Sequence, residues 1–390
     1  MTSFLTSNPT SYQKQHLGPA ESWGRFLLRL SSNAMSAFLA AICLLGLSLA
    51  NAVNFTTVYE WDQFEFTWPS GANSSIEEIK RNFNPKNVEF LYMAVFGERL
   101  FLSLDWKYGT PATLVWLPTS GTSTAPPKLD PFPSWNLHER YNCDTIQMAK
   151  GLETDTDGRL WVVDDGNAAC PGKIWIFDLL NNDKSEHIHR FPDTVVSHAS
   201  GSRALHDIVL DKTPDDYIAY IRDAASEHIV AYSRKLDKSW SVKTSRKKWK
   251  SFALSPSQEA RQLYLSKSFS DDFYSVSVGQ LKNEGKSAHV EFIGQWKKIP
   301  SRMLIDSSNV LYAAFFNANY LAKWNISEPF HEQRFYEAGE LGTIEPFTFA
   351  LDTNGNLWMT ELNESTGVKR QKLLKAAIGA KSYLYSAARP

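Results

Sequence analysis

Residues 151–166 read GLETDTDGRLWVVDDG, and two readings compete for this stretch. Glu153, Asp155, Asp157 and Gly158 fall at positions 1, 3, 5 and 6 of a twelve-residue window, with Leu160 at the eighth and Asp164 at the twelfth, close to an EF-hand calcium loop. An EF-hand needs a helix on each side, yet here MAK precedes the window and NAACPGK follows it, with Pro171 opposing a helix start. The phrase also recurs as ALDTNGNLWMTE at 350–361, which keeps the turn and the aromatic but loses the acidic first position. Asp155-Thr156-Asp157-Gly158 therefore reads as a hairpin turn, where Asp and Gly accept positive φ angles, and Leu160 and Trp161 open the next strand.

More copies follow the same grammar of apolar strand, polar turn, then a strand opening with an apolar residue and an aromatic. They are LIDSSNVLYAAF at 304–315, LSPSQEARQLYLSK at 254–267, IVLDKTPDDYIAYIRD at 208–223 and MAVFGERLFLSLD at 93–105. The anchor aromatics Phe101, Trp161, Tyr217, Tyr264, Tyr312 and Trp358 stand 60, 56, 47, 48 and 46 residues apart. Six hairpins at that spacing, each with room for four short strands, predict an all-β chain folded as a six-bladed β-propeller. KIWIFDLLNN (173–182), DDFYSVSVGQL (271–281) and NYLAKWNIS (319–327) read as outer strands, and residues 56–68, TTVYEWDQFEFTW, as the strand that latches the last blade. The Pro/Ser/Thr-rich stretch 119–135 is a surface excursion that lengthens the first interval.

The propeller is assigned to residues 53–362. Residues 363–390 carry Lys369, Arg370, Lys372, Lys375, Lys381 and Arg389 and are expected to form a basic, disordered tail. At the other end, AMSAFLAAICLLGLSLANA (34–52) is an apolar run closed by Ala50-Asn51-Ala52. It reads as a signal peptide over 35–52, cut after Ala52, with residues 1–34 a spurious or untranslated extension; a signal anchor is the alternative. Sequons at Asn54, Asn73, Asn325 and Asn363 suit a secreted, extracellular glycoprotein. Beyond the leader only Cys143 and Cys170 remain, an even pair expected to form a disulfide, with two separate buried thiols as the alternative. Formal net charge is −1, so no global field points to nucleic acid, and no membrane contact is expected after cleavage.

Several phrases stack in one order: GRLWVVDDG (158–166), CPGKIWIFDL (170–179), YIRDAASEHIVAYSRKLDKSWSV (220–242), FALSPSQEARQLYLS (252–266), LYAAFFNANYLAKWN (311–325) and FTFALDTNGNLWMTEL (347–362). Upstream, LFLSLDWKYGTPATLVWLP (100–118) and KLDPFPSW (128–135) fit too. Over roughly 58–362 this resembles the Yellow and major royal jelly protein family. The resemblance implies a secreted six-bladed propeller and a spread of roles: cuticle pigmentation, dopachrome conversion, storage, and salivary binding of biogenic amines. The chain departs from the family pattern at Asp157 and Lys323, where cysteines are usual, and at Leu104-Asp105-Trp106, where Pro-Arg-Trp is usual. The departures imply that one family disulfide is lost while Cys143–Cys170 is kept.

In a propeller the ligand site lies at the channel mouth, on loops after the second strands and before the innermost ones. Those loops carry Asp164, Asp207, Asp223, Phe316, Asn317, Phe347 and Glu361. Carboxylates beside aromatic rings suit a small aromatic amine or catechol derivative, the carboxylate neutralising the ammonium and a ring adding cation–π attraction. The competing reading is that Asp164, Asp207 and Asp223 only brace loops by accepting backbone N–H bonds. Enzyme signals are thin, since no nucleophile elbow, zinc-protease helix or phosphate loop occurs. Dopachrome-converting isomerase activity through His206-Asp207 is the alternative function, although neighbours on a strand face opposite sides. A storage glycoprotein with an empty channel is the third reading. His187 and His189 share a strand face and read as surface residues; no metal and no other cofactor is expected.

Overall fold

The structure is a computed structural model. It describes residues 53–71, 74–107, 109–120, 126–199, 201–244, 248–256, 260–338, 344–363 and 370–385, by backbone alone at 74–75, 344–347 and 363. The signal peptide and residues 1–34 lie outside the described residues, as does Asn73. No helix among the described residues is long and apolar enough to cross a membrane.

Strand β1 (Thr56–Trp61) comes first and waits for the last blade. Helix α1 (Ser74–Asn82) follows. Blade 1 is β2 (Phe90–Phe96), β3 (Arg99–Leu104), β4 (Leu114–Pro118) and β5 (Asp130–Pro131), and blade 2 is β6 (Ala149–Thr154), β7 (Arg159–Asp164), β8 (Lys173–Asp178) and β9 (Lys184–Arg190). Blade 3 is β10 (Leu205–Lys212), β11 (Tyr217–Asp223), β12 (His228–Ser233) and β13 (Lys238–Lys243). Blade 4 is β14 (Trp249–Leu254), β15 (Gln262–Lys267), β16 (Asp272–Ser277) and β17 (Glu291–Gln295), and blade 5 is β18 (Pro300–Ile305), β19 (Val310–Phe315), β20 (Tyr320–Asn325) and β21 (Gln333–Glu337). Blade 6 is β22 (Ile344–Leu351), β23 (Asn356–Asn363), β24 (Arg370–Ala377) and, from the chain start, β1. Each blade is an antiparallel four-stranded sheet, and the innermost strands neighbour one another in a closed ring, a six-bladed propeller.

All six anchor aromatics fall on second strands and are buried. The turns before three of them share one mechanism. Asp155 Oδ1 accepts the N–H groups of Asp157 (2.9 Å) and Arg159 (3.0 Å), and Oδ2 accepts Trp161 Nε1 (2.8 Å). Asp352 repeats this with Asn354, Asn356 and Trp358, and Asp306 with Ser308, Val310 and the Tyr312 hydroxyl. Residue i thus bonds i+2, i+4 and i+6, closing the turn and fixing the aromatic in the gap between blades. The third residue after each Asp has positive φ: Gly158 at 84°, Gly355 at 82° and Asn309 at 68°. At Gly158 an added Cβ would also lie 2.6 Å from Leu180. The repeat is a structural device, and no calcium geometry is needed to explain its acidic residues.

Two expectations are corrected. The segments read as outer strands, 173–182, 271–281 and 319–327, supply third strands, buried on both faces, so their apolar alternation reports sandwiching and not an edge. The end of the chain is not a loose tail, because β24 pairs with β23 on one side and β1 on the other. Its Leu373 and Leu374 are buried, while Arg370 pairs with Asp62 (2.8 Å), Lys372 faces Glu60 (3.7 Å) and Lys375 sits over the Trp358 ring (4.8 Å). Arg370 and Lys372 look solvated in the sequence because their acidic partners lie some 300 residues earlier in the chain. Beyond β24, Tyr383 is buried and its hydroxyl accepts the Leu210 N–H (2.8 Å).

Candidate functional site

Cys143 and Cys170 are joined by a disulfide, with Cα atoms 5.1 Å apart. It ties the loop before β6 to the loop after β7, the two kinds of loop that meet at the channel mouth. Asp164 finishes the tie: its carboxylate accepts the N–H groups of Gln147 (3.0 Å), Met148 (2.8 Å) and Gly166 (2.9 Å) and the Trp175 indole (3.3 Å). Lys173 stands 3.6 Å away and donates to the carbonyls of Cys143 and Thr145. Buried Arg203, reaching from the loop before β10, donates to the carbonyls of Asp165 (2.6 Å), Asn167 (2.7 Å) and Cys170 (2.8 Å). Gly166 is required here, with φ +69° and a hypothetical Cβ only 2.3 Å from the Cys170 carbonyl.

These braced loops wall a cavity of about 620 Å³ beside the mouth, between blades 1 and 2 and under α1. That volume lies within the range of small-molecule sites. Trp106 and Tyr141 present exposed rings to it, at 37% and 59% exposure. The Arg140 guanidinium sits 4.6 Å from the Trp106 centroid and 5.0 Å from that of Tyr141. Asp165 reaches the cavity with one oxygen accepting the Leu205 N–H (2.8 Å) and Arg203 Nε 3.9 Å away. Burial outweighs that N–H bond and the cations, and raises the Asp165 carboxyl to about 6.

The axial channel is different. Its cavity, about 50 Å³, is too small for an aromatic ligand and is lined in part by Glu153, Asp207, Arg302 and Tyr383. Asp207 Oδ1 accepts Arg302 Nη1 (2.6 Å), while Oδ2 accepts the Ser251 hydroxyl (2.8 Å) and the Phe252 N–H (2.9 Å). Arg302 lies 3.9 Å from the Tyr92 ring centroid. Burial and the cations Arg222, Lys150, Lys250 and Arg302 push His206 down to about 2. His206 is therefore neutral and Asp207 committed to an ion pair, so the two do not form an acid–base couple.

Burial raises the Glu153 carboxyl from 4.5 to about 8. The folded chain therefore holds a proton that the unfolded chain releases between those pH values, and stability falls as pH rises through the window. Glu153→Gln is expected to leave stability at pH 4 unchanged and to raise it by up to about 4 kcal/mol at pH 8, measured by urea unfolding.

The remaining sequence candidates are scattered. Asp223 is buried and accepts the N–H groups of Ala204 (2.9 Å) and Ala225 (3.0 Å), the brace that Asp164 forms one blade earlier. Glu361 is buried and accepts the Tyr336 hydroxyl. Phe316 and Asn317 are exposed on the β19–β20 turn, away from the large cavity. The side chain of Phe347 lies outside the described residues. The cavity residues Trp106, Tyr141 and Asp165 were not singled out from sequence; Asp165 follows Asp164 in the DDG phrase, and the strand period alone separates the inward brace from its outward neighbour. Asp105, which replaces the usual basic residue, lies 3.4 Å from Lys150. Of the sequons, Asn54 is exposed and Asn325 half-buried; the Asn363 side chain lies outside the described residues.

The sequence pattern of the family described as major royal jelly protein matches residues 148–253 and 244–360. The protein named yellow from Drosophila subobscura is 26% identical over 371 residues, covering 84% of this chain and 64% of its own. Protein yellow from Drosophila melanogaster is 25% identical over 349 residues, covering 77% of this chain and 63% of its own. The chain thus spans less than two thirds of the length of these relatives. Among solved structures, a luciferin-regenerating enzyme superposes with a TM-score of 0.50 at 11% identity, covering 77% of this chain and 94% of that one. A gluconolactonase from Xanthomonas campestris gives 0.51 at 13% identity, covering 84% and 92%. At such identities these two share the fold alone.

Proposed function

This chain belongs to the major royal jelly protein family, and on that premise we propose that it is a secreted pigmentation-pathway protein that binds a small aromatic amine or catechol derivative in the cavity beside the channel mouth. The observation that carries this reading is the meeting, in one cavity of about 620 Å³, of the exposed Trp106 and Tyr141 rings with the Asp165 carboxylate. Arg140 over both rings marks them as faces that attract a cation, and a bound aromatic ring has the same faces to stack on. An ammonium would pair with Asp165, whose second oxygen has no hydrogen-bond partner among the described residues. Secretion is supported by the disulfide, the exposed Asn54 sequon and the apolar run before Val53.

A second reading, dopachrome isomerisation, is favoured by one observation: a carboxyl near 6 suits proton transfer at neutral pH. Calorimetry with dopamine, serotonin and dopachrome separates the readings. Heat without turnover supports binding, loss of dopachrome absorbance supports isomerisation, and neither leaves a storage role. Asp165→Asn is expected to weaken amine binding about tenfold, or ~1.4 kcal/mol. Unchanged affinity would remove Asp165 from the site.

A further inference from the structure

On the outer rim, two imidazoles and a carboxylate converge. His187 and His189 stand two residues apart on β9, so they share one face of the outermost strand of blade 2. A bulge in the β8–β9 pairing leaves Glu186 as the extra residue beside them, and bulges re-aim the side chains around them. Asp237 comes from blade 3, in the tight turn between β12 and β13, with φ +48°. His187 Nε2 and His189 Nδ1 each lie 2.8 Å from the same Asp237 oxygen, Oδ1. The ligand atoms of the three residues all lie within 4.8 Å of one another.

We propose that His187, His189 and Asp237 bind one divalent late first-row metal ion, with zinc as its natural probe, and that the ion staples blade 2 to blade 3. Two neutral imidazoles and one carboxylate form a nitrogen–oxygen donor set of the kind zinc takes, at metal–ligand lengths of about 2.0–2.2 Å. In a tetrahedron such lengths put ligand atoms about 3.4 Å apart. The three groups therefore need to open by about half an ångström from the 2.8 Å spacing to admit the ion, a movement within the reach of side-chain rotation.

The surroundings prepare the histidine. His189 Nε2 lies 2.9 Å from the Ser239 hydroxyl, a partner that fixes the ring and frees Nδ1 to face the centre. The same ring packs 4.6 Å from Tyr232 and 5.5 Å from Phe191, so its orientation is set before any ion arrives. Asp237 is also approached by the Tyr232 hydroxyl at 3.3 Å. The Asp237 side chain is 55% exposed and that of His187 31%, which gives an ion a way in and leaves the fourth position to solvent. Because the ligands come from two blades, binding to the folded chain stabilises the seam between them.

Zinc titration by calorimetry on the full secreted chain, stripped with a chelator beforehand, tests this. One equivalent is expected to bind saturably, and zinc is expected to raise the unfolding midpoint by about 2 °C or more. Asp237→Asn and the double variant His187→Gln/His189→Gln are expected to bind at least tenfold more weakly and to lose the midpoint shift. Absence of saturable binding, or equal affinity in wild type and double variant, overturns the proposal and leaves the trio as hydrogen-bonded partners. Should the double variant fail to fold, X-ray absorption of the zinc-loaded wild type decides. Two imidazole nitrogens in the zinc shell support the site, and an all-oxygen shell overturns it.

Discussion

A chain stopped after Asn363 is expected to accumulate as unfolded, insoluble protein with no cooperative melting transition. The truncation removes β24, the third strand of blade 6, and leaves β1 with nothing to pair to. The ring is then held open at the one place where the two ends of the chain meet. Both the ladder to β23 and the ladder to β1 are lost, with the buried Leu373, Leu374 and Ala376. A chain stopped after Gly379 keeps β24 and loses only the segment carrying Tyr383. It is expected to fold with stability lowered by about 3 kcal/mol, the usual scale for deleting a buried aromatic side chain. Circular dichroism and calorimetric melts of both truncations check this. A soluble, cooperatively melting product of the shorter chain would show β24 to be dispensable.

The second large effect is Asp155→Ala, which is expected to cost about 3–5 kcal/mol in urea unfolding. The carboxylate is fully buried and serves two backbone N–H groups, the Trp161 indole and Arg159 Nε at 2.6 Å. Removing it strands those donors at once and leaves the largely buried guanidinium with only the half-exposed Asp157, 2.8 Å from Nη2, as a carboxylate partner. Asp352→Ala strands the same set of neutral donors, with an Asn356 amide in place of the guanidinium. It is expected to cost about 2–3 kcal/mol, since losing the partner of a neutral donor costs less than losing one partner of a largely buried charge. The difference between the two variants measures what the Arg159 ion pair adds; equal losses would mean it adds nothing.

The fold was legible because the repeat is local. Each turn of the Asp155 type is written within seven consecutive residues, and the aromatic at its end reports burial without reference to any distant partner. The latch strand was readable too, expected over 56–68 and found over 56–61, since its period-2 alternation has no partner nearby and a propeller must close. The tail was not readable, because the Arg370 and Lys372 charges that make β24 look solvated are met by Asp62 and Glu60, some 300 residues earlier in the chain.

The site divides along the same line. The sequence by itself determined the six repeats and which loops reach the channel mouth, and led to the expectation that Cys143 pairs with Cys170, because each depends on neighbours in the chain or on the one other cysteine among the described residues. Only the tertiary structure decided which acidic residues are spent. Asp164, Asp207 and Asp223 are used up by N–H groups and an arginine brought in from other loops and blades, whereas Asp165 keeps an oxygen facing a cavity that four separate loops and a helix enclose. The convergence of His187 and His189 with Asp237 is equally hidden, since it joins residues on two blades. A carboxylate's availability is a property of all the donors around it, and those donors are assembled by packing, not by adjacency in sequence.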